Sequence, residues 1–424
     1  MGRIRDLAEG LWSGALDPAT HHPFAPLLDL ENVAPRTGFV SSFANATAFD
    51  TDAGLVLVDT GSFLLSHQVH VTVRSFTKRP LHTAIYTHGH VDHCFGVERY
   101  EAEQGAPARV VGHERVPARF ERYKLTHGYN ACINARQFRT PPSWPESFRA
   151  PDVTYASSLD LDVGGERFEL RHALGETDDA TWVWVPARAV VCVGDLFIWA
   201  TPNAGNPQKV QRYPREWAQA LRAIAELPAD VLCPGHGPPI FGRDRVRRAV
   251  TETAELLESL VEQTVAVMND GGTLEDALAS VRAPAELLAR PYLRPIYDEP
   301  EFVVHNVWRL YGGWWDGDPS HLKPARARAL ALELAALSGG ARRLADRATE
   351  LASRGDLALA CHLAETAWLA SPEDRGIARV RADVYTRRTR AETSLMARGI
   401  FSAAARESTE DEEAEGEDEK DDRP

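Results

Sequence analysis

Three histidines and an aspartate are crowded into the stretch THGHVDH, which spans Thr87 to His93. The apolar run LHTAIY comes directly before this stretch, and CFGVERYEAEQG, with the spacing of a helix, comes directly after it. The cluster therefore lies where a buried strand ends and a loop leads into a helix. Alternate side chains of an extended backbone point the same way, so His88 and His90 can reach one point. Asp92 and His93 would face a second point nearby, and these nitrogen and oxygen donors predict a site for zinc or a related ion.

Short apolar strands that end in polar loops recur along the first part of the chain. Examples are GLVLVDTG at residues 54–61, TWVWVPARAVVCVGD at 181–195 and ADVLCPGHG at 229–237. A few helical patterns separate these strands. The alternation predicts an α/β domain in which two sheets pack face to face with helices outside, rather than a single parallel sheet.

The pattern changes to long helical periodicity at residue 244, where RVRRAVTETAELLESLVEQTVAVMND falls, and it continues to residue 406. The last stretch, residues 407–424, holds 11 acidic and 2 basic residues and is expected to be disordered. We therefore predict a catalytic α/β domain at 1–243, an all-helical domain at 244–406 and a disordered acidic tail at 407–424.

Composition argues against several kinds of partner. The tail accounts for −9 of the formal charge of −14, and the rest of the chain has no basic stripe of the kind that nucleic acid requires. No window approaches the roughly eighteen apolar residues of a membrane span, and the opening segment lacks the features of a secretory signal. The five cysteines are scattered without a CxxC pair. We expect a cytoplasmic protein with reduced cysteines that binds neither nucleic acid nor a membrane.

The stretch from Thr87 to His93 meets in full the pattern THxHxDH of the metallo-β-lactamase superfamily, which this chain resembles. The resemblance implies an αββα sandwich with further metal ligands at the ends of later strands. Asp195, in VVCVGD, matches the aspartate that bridges two metal ions in the superfamily, and His236, in PGHG, matches its last histidine. Before both of these residues, Glu176, in LGETDD, replaces the histidine that the superfamily usually has.

A glutamate at this position is known from the alkylsulfatase-like branch of the superfamily, and the chain resembles that branch. VVHNVWRLYGGWWDGDPSHL, at residues 303–322, and the helices after it are similar to the branch's dimerisation domain. The likeness extends to residue 406 and does not include the lipid-carrier-like domain of the long detergent-degrading sulfatases. It implies a homodimer, whereas an aromatic core within a monomer is the alternative interpretation of GGWWDG.

Seven side chains from four places in the chain form the predicted ligand set: His88, His90, Asp92, His93, Glu176, Asp195 and His236. They exceed what one closed site needs, so two divalent ions are expected. The two ions, the three carboxylates and a bridging hydroxide sum to a neutral site, whereas a histidine at position 176 would leave one positive charge. We expect zinc, with manganese or iron(II) as alternatives, because a more neutral site favours harder metals somewhat. We assign catalytic roles to Asp92 and Asp195, and Asp59 is a candidate to orient a ligand histidine.

The segment KLTHGYNACINARQF resembles the part of the branch that lies near the bound sulfate group, which makes Tyr129, Asn130 and Arg136 candidate substrate contacts. The resemblance also makes Arg212, in QRYPREW, and Lys209 candidate substrate contacts, and Arg212 matches an arginine of the family. A second family arginine has no counterpart here, and Lys209 stands near its place. A lysine cannot offer the paired hydrogen bonds that a guanidinium gives to a tetrahedral oxyanion.

Three functions remain open on the sequence. The first, which we favour, is hydrolysis of a small or medium alkyl sulfate ester by a hydroxide held between two metal ions, with cleavage at sulfur or at carbon. The second is hydrolysis of a thioester, lactone or phosphate ester at the same site. The third is a non-catalytic, metal-bearing interaction protein, and the complete ligand set counts against it because a structural scaffold needs no open two-metal site.

Overall fold

The computed structural model describes residues 2–409, which fall into two units. The first unit comprises Met1–Asn130 and Trp144–Trp314, and the second comprises Ala131–Ser143 and Trp315–Pro424. The helices between residues 243 and 312 pack into the core of the first unit, so this division differs from the domain limits 1–243 and 244–406, which remain a prediction. Residues 410–424 of the expected acidic tail lie outside the described residues.

One sheet of the first unit has its strands in chain order: β1 Asp29–Ala34, β2 Thr37–Ser41, β3 Ala46–Thr51, β4 Gly54–Val58, β5 Leu81–Ile85, β6 Arg109–His113 and β7 Val153–Tyr155. The first four strands are antiparallel, and β4 to β7 run parallel to one another. The sequence patterns GLVLV and LHTAI correspond to β4 and β5.

The second sheet is formed by β8 Ser158–Val163, β9 Glu166–Ala173, β10 Ala180–Val185, β11 Val190–Ile198, β12 Val231–His236 and β13 Ile240–Phe241. These strands follow the order β13-β12-β11-β10-β9-β8, in which β11 and β12 are parallel and the other neighbours are antiparallel. The register between β11 and β12 shifts at Gly194, which marks a bulge.

The helices that begin in the first unit are α1 Arg3–Ser13, α2 Ser66–Phe76, α3 Val97–Gln104, α4 Val116–Leu125, α5 His127–Phe138, α6 Pro214–Ala225, α7 Arg243–Asn269, α8 Leu274–Ser280, α9 Ala285–Leu288 and α10 Pro300–Gly312. The boundary between the units falls within α5. Within residues 2–409, no helix is both long enough and apolar enough to cross a bilayer.

A hydrophobic core fills the space between the two sheets. Phe49 and Val56 from the first sheet and Phe168 and Val183 from the second are almost fully buried in it. The rings of Phe49 and Phe168 meet edge to face with their centroids 5.3 Å apart. Both sheets thus bury their inner faces against each other, as the alternation of strands and turns predicts.

Helices cover the outer faces of the sandwich. Trp217 of α6 and Leu257 of α7 are fully buried in the core behind the second sheet, and the indole of Trp217 donates to the Leu196 carbonyl at 2.8 Å. On the other side, α2 and α3 pack against strands of the first sheet. Strands such as β4 and β11 are buried at every position because they are covered on both faces. The predicted αββα sandwich is confirmed.

The described residues of the second unit are helical, with α11 Pro319–Leu322, α12 Ala327–Ser338, α13 Ala341–Ser353, α14 Leu357–Ala370, α15 Arg375–Ala391 and α16 Leu395–Glu407. Alanines dominate the contacts between successive helices, and Ala348, Ala360, Ala364 and Ala367 are almost fully buried. Small side chains let neighbouring helices approach closely. This helical region after the sandwich matches the second part of the predicted fold.

The loop from Thr201 to Asn206 is fastened to the segment that precedes α10. The Thr201 N–H donates to the Arg294 carbonyl at 3.0 Å, and the Gly205 N–H donates to the Asp298 carboxylate at 2.6 Å. A Cβ at Gly205 would approach the backbone of Phe302 to 2.2 Å, so only glycine fits there. Asp298 is fully buried, and burial raises the pKa of its carboxyl to about 7.

This buried carboxyl should make the stability of the protein depend on pH. The pKa of Asp298 in the folded protein exceeds that of an unfolded aspartate, so the folded state binds the proton more tightly and loses stability as the pH rises from about 4 through 7. We expect this group to remove roughly 3 kcal/mol of unfolding free energy between about pH 5 and pH 8. In Asp298→Asn that dependence should disappear, and urea unfolding across this range would measure it.

The matched control is Asp244→Asn, because the side chain of Asp244 is 94% exposed. Its pH dependence should parallel that of the unsubstituted protein. Parallel curves for Asp298→Asn and the unsubstituted protein would contradict the prediction.

Candidate metal centre

Parallel strands bring residues that are distant in sequence to one edge of the sandwich. Asp59 directly follows β4, and the loop that contains His88 follows β5, its parallel neighbour. In the other sheet, the parallel neighbours β11 and β12 carry Asp195 and His236. Glu176 lies in the loop that joins β9 to β10. Ligand sites in α/β folds form beyond the carboxyl ends of parallel strands, and these side chains meet there.

The seven predicted ligand residues fall into two groups. One group consists of His88, His90, Glu176 and Asp195, and the other of Asp92, His93 and His236. Within each group, one donor atom from every side chain lies within 4.8 Å of the others. The structure therefore brings together all seven side chains that the sequence nominated.

The Asp195 carboxylate lies between the two groups. Its Oδ2 is 3.8 Å from Nε2 of His88 and 3.4 Å from Nε2 of His236, and its Oδ1 is 3.3 Å from Nε2 of His93. An aspartate in this position can offer one oxygen to each of two ions.

The donor set fits metal ions better than it fits hydrogen bonding. Nε2 of His88, Nε2 of His93, Oε2 of Glu176 and Oδ1 of Asp195 are buried without a hydrogen-bond partner among residues 2–409, although buried polar atoms normally have one. The separations of 3.7 to 3.8 Å that His88, His90 and His93 make with Asp195, Glu176 and Asp92 are too long for hydrogen bonds. Ligands about 2.0–2.1 Å from a tetrahedral zinc ion lie about 3.3–3.4 Å from one another, which matches the 3.3 and 3.4 Å between the Asp195 oxygens and Nε2 of His93 and His236.

Two glycines allow the strands to present Asp195. Gly194, at the bulge in β11, has a φ of +50°, and a Cβ there would approach Oγ1 of Thr87 to 2.6 Å. A Cβ at Gly235 would approach Oδ1 of Asp195 to 2.0 Å. Any side chain at these two positions would push Asp195 or Thr87 out of place.

Asp59 orients the ligand loop from beneath. Its Oδ2 lies 2.8 Å from Nδ1 of His93, and its two oxygens accept the N–H and the hydroxyl of Thr87, both at 2.8 Å. The Thr87 hydroxyl lies 3.0 Å from Nδ1 of His88. These contacts direct Nε2 of both imidazoles toward the site. Asp59 itself has a φ of +57°, a backbone conformation that aspartate and asparagine tolerate better than most residues.

The imidazole of His88 is kept neutral, as a metal ligand must be. Burial, reinforced by the neighbouring His93, lowers the pKa of His88 to about 3. At the opposite side of the site, Nδ1 of His236 contacts the Phe43 carbonyl, which leaves Nε2 facing Asp92 and Asp195.

Glu176 is held by two buried residues that act on the same oxygen. Nη1 of Arg212 lies 2.5 Å from Oε1 and donates to the Glu176 backbone carbonyl at 2.8 Å. The amide of Asn203 also donates to Oε1. Oε2 remains for the site and lies 3.7 Å from Nδ1 of His90. Asn203 was not expected from the sequence, and it reaches Glu176 through the loop that Asp298 fastens.

A second buried ion pair, which the sequence did not reveal, supports the motif from the other side. Nε of Arg119 donates to Oδ2 of Asp179 at 2.8 Å, and the same oxygen accepts the N–H of Gly89 at 3.1 Å. Burial would raise the pKa of Asp179, but Arg119 outweighs it and lowers that pKa to about 2. The two consecutive aspartates after Thr177 are the sequence signal for this ion pair. Their partner, Arg119 of α4, could not be predicted because it reaches them only through tertiary packing.

Aromatic residues line the same region. The ring of Phe24 lies 5.1 Å from that of His236 and 5.3 Å from that of Tyr297. Burial raises the pKa of the Tyr297 phenol well above its usual value, and the carboxylates of Glu176 and Asp92 act in the same direction. Nothing in the sequence pattern of residues 20–30 or 291–299 indicated that these rings would be close to the ligands.

The predicted substrate contacts on α5 have varied environments. Tyr129 is 60% exposed, whereas Asn130 is buried and its amide donates to the carbonyl and hydroxyl of Thr126 at 3.0 and 2.7 Å. Arg136 belongs to the second unit. The role of these three residues as substrate contacts stays a prediction.

The two predicted cations of the loop before α6 differ in position. Arg212 is almost fully buried and is engaged with Glu176. Lys209 is half-buried, with its ammonium 5.9 Å from the centroid of the Trp144 ring. Burial and the charge of Arg212 lower the pKa of Lys209 to about 8, while Asp92 and Glu176 oppose that shift. Lys209 is thus within electrostatic range of the ligand carboxylates.

Two families match the chain. The family described as metallo-beta-lactamase superfamily matches residues 41–236, and the family described as alkyl sulfatase dimerisation matches residues 273–411. The first match includes all seven candidate ligands, and the second covers most of the helices after the sandwich.

Curated relatives carry related names. A linear primary-alkylsulfatase of Pseudomonas sp. (strain ATCC 19151) is 27% identical over 359 residues, which are 79% of this chain and 68% of the relative. An (R)-specific secondary-alkylsulfatase of Pseudomonas sp. is 25% identical over 371 residues, which are 80% of this chain and 56% of the relative. Among solved structures, a stereoselective inverting sec-alkylsulfatase of Pseudomonas sp. has a TM-score of 0.81 at 22% identity, covering 89% of this chain and 65% of that one.

The fold and the donor set are those of the metal-dependent hydrolases that are built on an αββα sandwich. The chain carries a metallo-β-lactamase superfamily domain followed by an alkyl sulfatase dimerisation domain, and it is similar to curated alkylsulfatases.

The contacts of Asp59 predict its effect on metal binding. Asp59→Asn preserves size and tolerates the left-handed backbone, but its single acceptor oxygen cannot serve the His93 imidazole together with both the N–H and the hydroxyl of Thr87. We expect the affinity for zinc to fall roughly 10–100-fold, since groups behind metal ligands have effects of this size. Competition with a chromophoric chelator would measure the change.

Asp52→Asn is the control, because Asp52 lies at the opposite end of β4, in the turn after β3, with its side chain 77% exposed. Its zinc affinity should equal that of the unsubstituted protein. Zinc binding by Asp59→Asn that is as tight as in this control would contradict the prediction.

Proposed function

We propose that the protein hydrolyses a small or medium alkyl sulfate ester to an alcohol and sulfate at a centre of two divalent metal ions. The observation that carries the proposal is the convergence of seven donor side chains in two groups that share Asp195. The names of the curated relatives at 27% and 25% identity support the choice of a sulfate ester over a thioester, lactone or phosphate ester.

Zinc is the proposed metal, with manganese or iron(II) as alternatives, because imidazole and carboxylate donors at the separations found here suit it. When bound, two such ions supply a water of lowered pKa as nucleophile and a positive centre for the developing negative charge. His88, His90 and Glu176 would hold one ion together with Asp195, and Asp92, His93 and His236 would hold the other.

The chain's own residues prepare this chemistry by orientation. Asp59 fixes the imidazole of His93, and Thr87 lies beside that of His88, so both present Nε2 without reorganisation. Asp92 and Asp195 are the proposed catalytic carboxylates, since both face His236 and His93 at 3.3 to 3.8 Å. No nucleophilic side chain is needed for such a hydrolysis.

Lys209 is the proposed contact for the sulfate group, with Tyr129, Asn130 and Arg136 as weaker candidates. Its ammonium is within electrostatic range of Asp92 and Glu176, and an anion bound between it and the ions would meet positive charge on both sides. The pKa of about 8 means that Lys209 carries its charge at neutral pH and loses it in mildly alkaline solution. Binding of the ester should weaken accordingly above that pH.

Sulfate release from a panel of alkyl sulfates would test the function. We expect turnover of short and medium chains, a loss of at least about 100-fold after removal of metal by a chelator, and recovery when zinc is restored. Reaction in heavy-oxygen water would show whether sulfate or the alcohol takes up the label, and hence which bond breaks.

Variants and other esters serve as controls for this test. His88→Gln should reduce turnover as chelation does, whereas Asp244→Asn should leave it unchanged because that side chain is exposed. Turnover of a thioester, a lactone or a phosphate ester in preference to every alkyl sulfate would contradict the proposal.

A homodimer formed through the helical unit is the proposed assembly, as the name of the matching dimerisation family suggests. Helix α12 carries an apolar stripe in which Leu330, Leu334 and Leu337 are 56%, 41% and 85% exposed. Their i, i+4, i+7 spacing places them on one face of the helix. Exposed apolar stripes of this kind mark contact surfaces, and a second copy of the chain is the occupant that the family name indicates.

Charges on this stripe should break the dimer. We expect Leu334→Glu/Leu337→Glu to be monomeric in light scattering at concentrations where the unsubstituted protein is dimeric, because two buried carboxylates would face apolar surface. Leu125→Glu is the control, since Leu125 is also 85% exposed but lies on α4. A dimer that survives the double substitution would locate the interface elsewhere.

A cytoplasmic location is also proposed. The five cysteines are unpaired, and Cys94, Cys192 and Cys233 are buried, as expected for structural thiols in a reducing compartment.

A further inference from the structure

The role of Arg212 goes beyond what its sequence position suggests. The match to a family arginine predicts that Arg212 binds the anionic substrate, yet its side chain is almost fully buried. Its Nη1 contacts Oε1 and the backbone carbonyl of Glu176 at 2.5 and 2.8 Å. The guanidinium is therefore committed to a candidate metal ligand.

The backbone of Arg212 is fixed by its neighbours on both sides. The Asn306 side chain of α10 donates to the Arg212 carbonyl at 3.1 Å and accepts the Arg212 N–H at 3.4 Å. The next residue, Tyr213, donates its N–H to the carbonyl of Gly175 at 3.0 Å. The loop of Arg212 and the loop of Glu176 are thus locked together, so the cation cannot swing away from the carboxylate without disturbing both.

The two oxygens of Glu176 have different surroundings. Arg212 and Asn203 both donate to Oε1. Oε2 is buried without a hydrogen-bond partner in the described part of the chain and lies 3.7 Å from Nδ1 of His90. One oxygen therefore meets a fixed positive charge while the other is left for an ion.

We propose that Arg212 and Glu176 form a charge-matched pair, in which the arginine is a positioning residue that compensates the glutamate's substitution for a neutral histidine ligand. The inference rests on the two-metal site of the proposed function. A glutamate in place of a histidine adds one negative charge to the centre, and the buried guanidinium adds one positive charge beside it. With Arg212 included, the centre regains the single positive charge that a histidine at position 176 would have given.

The pairing predicts how substitutions at the two positions depend on each other. Glu176→His alone should bind the ion of the first group poorly, because an uncompensated buried guanidinium then faces the ion. Adding Arg212→Met removes that charge and should restore binding. Adding Arg212→Lys keeps the charge and should not restore it.

Zinc titration against a chromophoric chelator, on the metal-free full chain, tests this ordering. We expect Glu176→His to lower the affinity of one of the two zinc sites at least about tenfold, an effect typical of residues around metal ligands. Glu176→His/Arg212→Met should regain most of this loss, and Glu176→His/Arg212→Lys should not. The other zinc site, at Asp92, His93 and His236, serves as the internal control for folding.

A second pair of variants tests the inference if histidine does not fit at position 176. Glu176→Gln keeps the size of the side chain and removes its charge, and Glu176→Gln/Arg212→Met should again bind zinc more tightly than Glu176→Gln. In either series, a double variant with Met that binds zinc no better than the single variant overturns the inference.

The outcomes separate this inference from the proposed function. Two bound zinc ions in the unsubstituted protein without turnover of any alkyl sulfate would overturn the function, and the variants would still decide the pairing. Normal turnover with no rescue by Arg212→Met would overturn the pairing alone. Absence of zinc binding by the unsubstituted protein would overturn both.

Discussion

Negative charge buried at the edge of the sandwich is the constraint on which the rest of the structure depends. Glu176, Asp179 and Asp195 are each at most 8% exposed, and an uncompensated carboxylate in such a place costs several kcal/mol or becomes protonated. Two buried arginines, Arg119 and Arg212, neutralise part of this charge through direct ion pairs. The remaining negative charge lies between the imidazoles, where the donor atoms are spaced like metal ligands and several of them lack a hydrogen-bond partner among residues 2–409. The loops, the bulge at Gly194 and the fastening of residues 201–206 to the chain before α10 all hold these charges at fixed positions.

Much of this arrangement could be predicted from the sequence. The motif from Thr87 to His93 is local, so its spacing alone indicates which side chains converge. Asp195 and His236 follow apolar strands, and the rule that strand ends meet at one edge brings them to the same place. The strands β4 and β5, the long helix α7 and the helical texture of the second unit could be predicted for a similar reason, because periodicity is a property of consecutive residues.

The rest depended on contacts between distant segments. Asp59 could have been an ordinary turn aspartate, and only its distance to His93 decides that it supports the motif. No sequence signal marks Arg119 or Asn203 as a partner of the residues in the site. The sequence around Arg212 does not show whether its side chain binds substrate or a glutamate. Helices α7 to α10 continue a helical pattern that looks like a new domain, yet their apolar faces complete the core behind the second sheet. Periodicity shows that a helix is amphipathic and does not show which surface covers it.

The donors also differ in their access to water. In one group His90 has a side chain 18% exposed while His88 and Glu176 are at 2% and 3%, and in the other Asp92 is 22% exposed while His93 is at 0% and His236 at 8%. Each group thus has a single outward ligand that can release and rebind an ion while the inner ligands stay in place. An ion that enters past this outward ligand would reach the inner ligands without unfolding of the chain. Such a centre would take its metal from the solution around the folded protein.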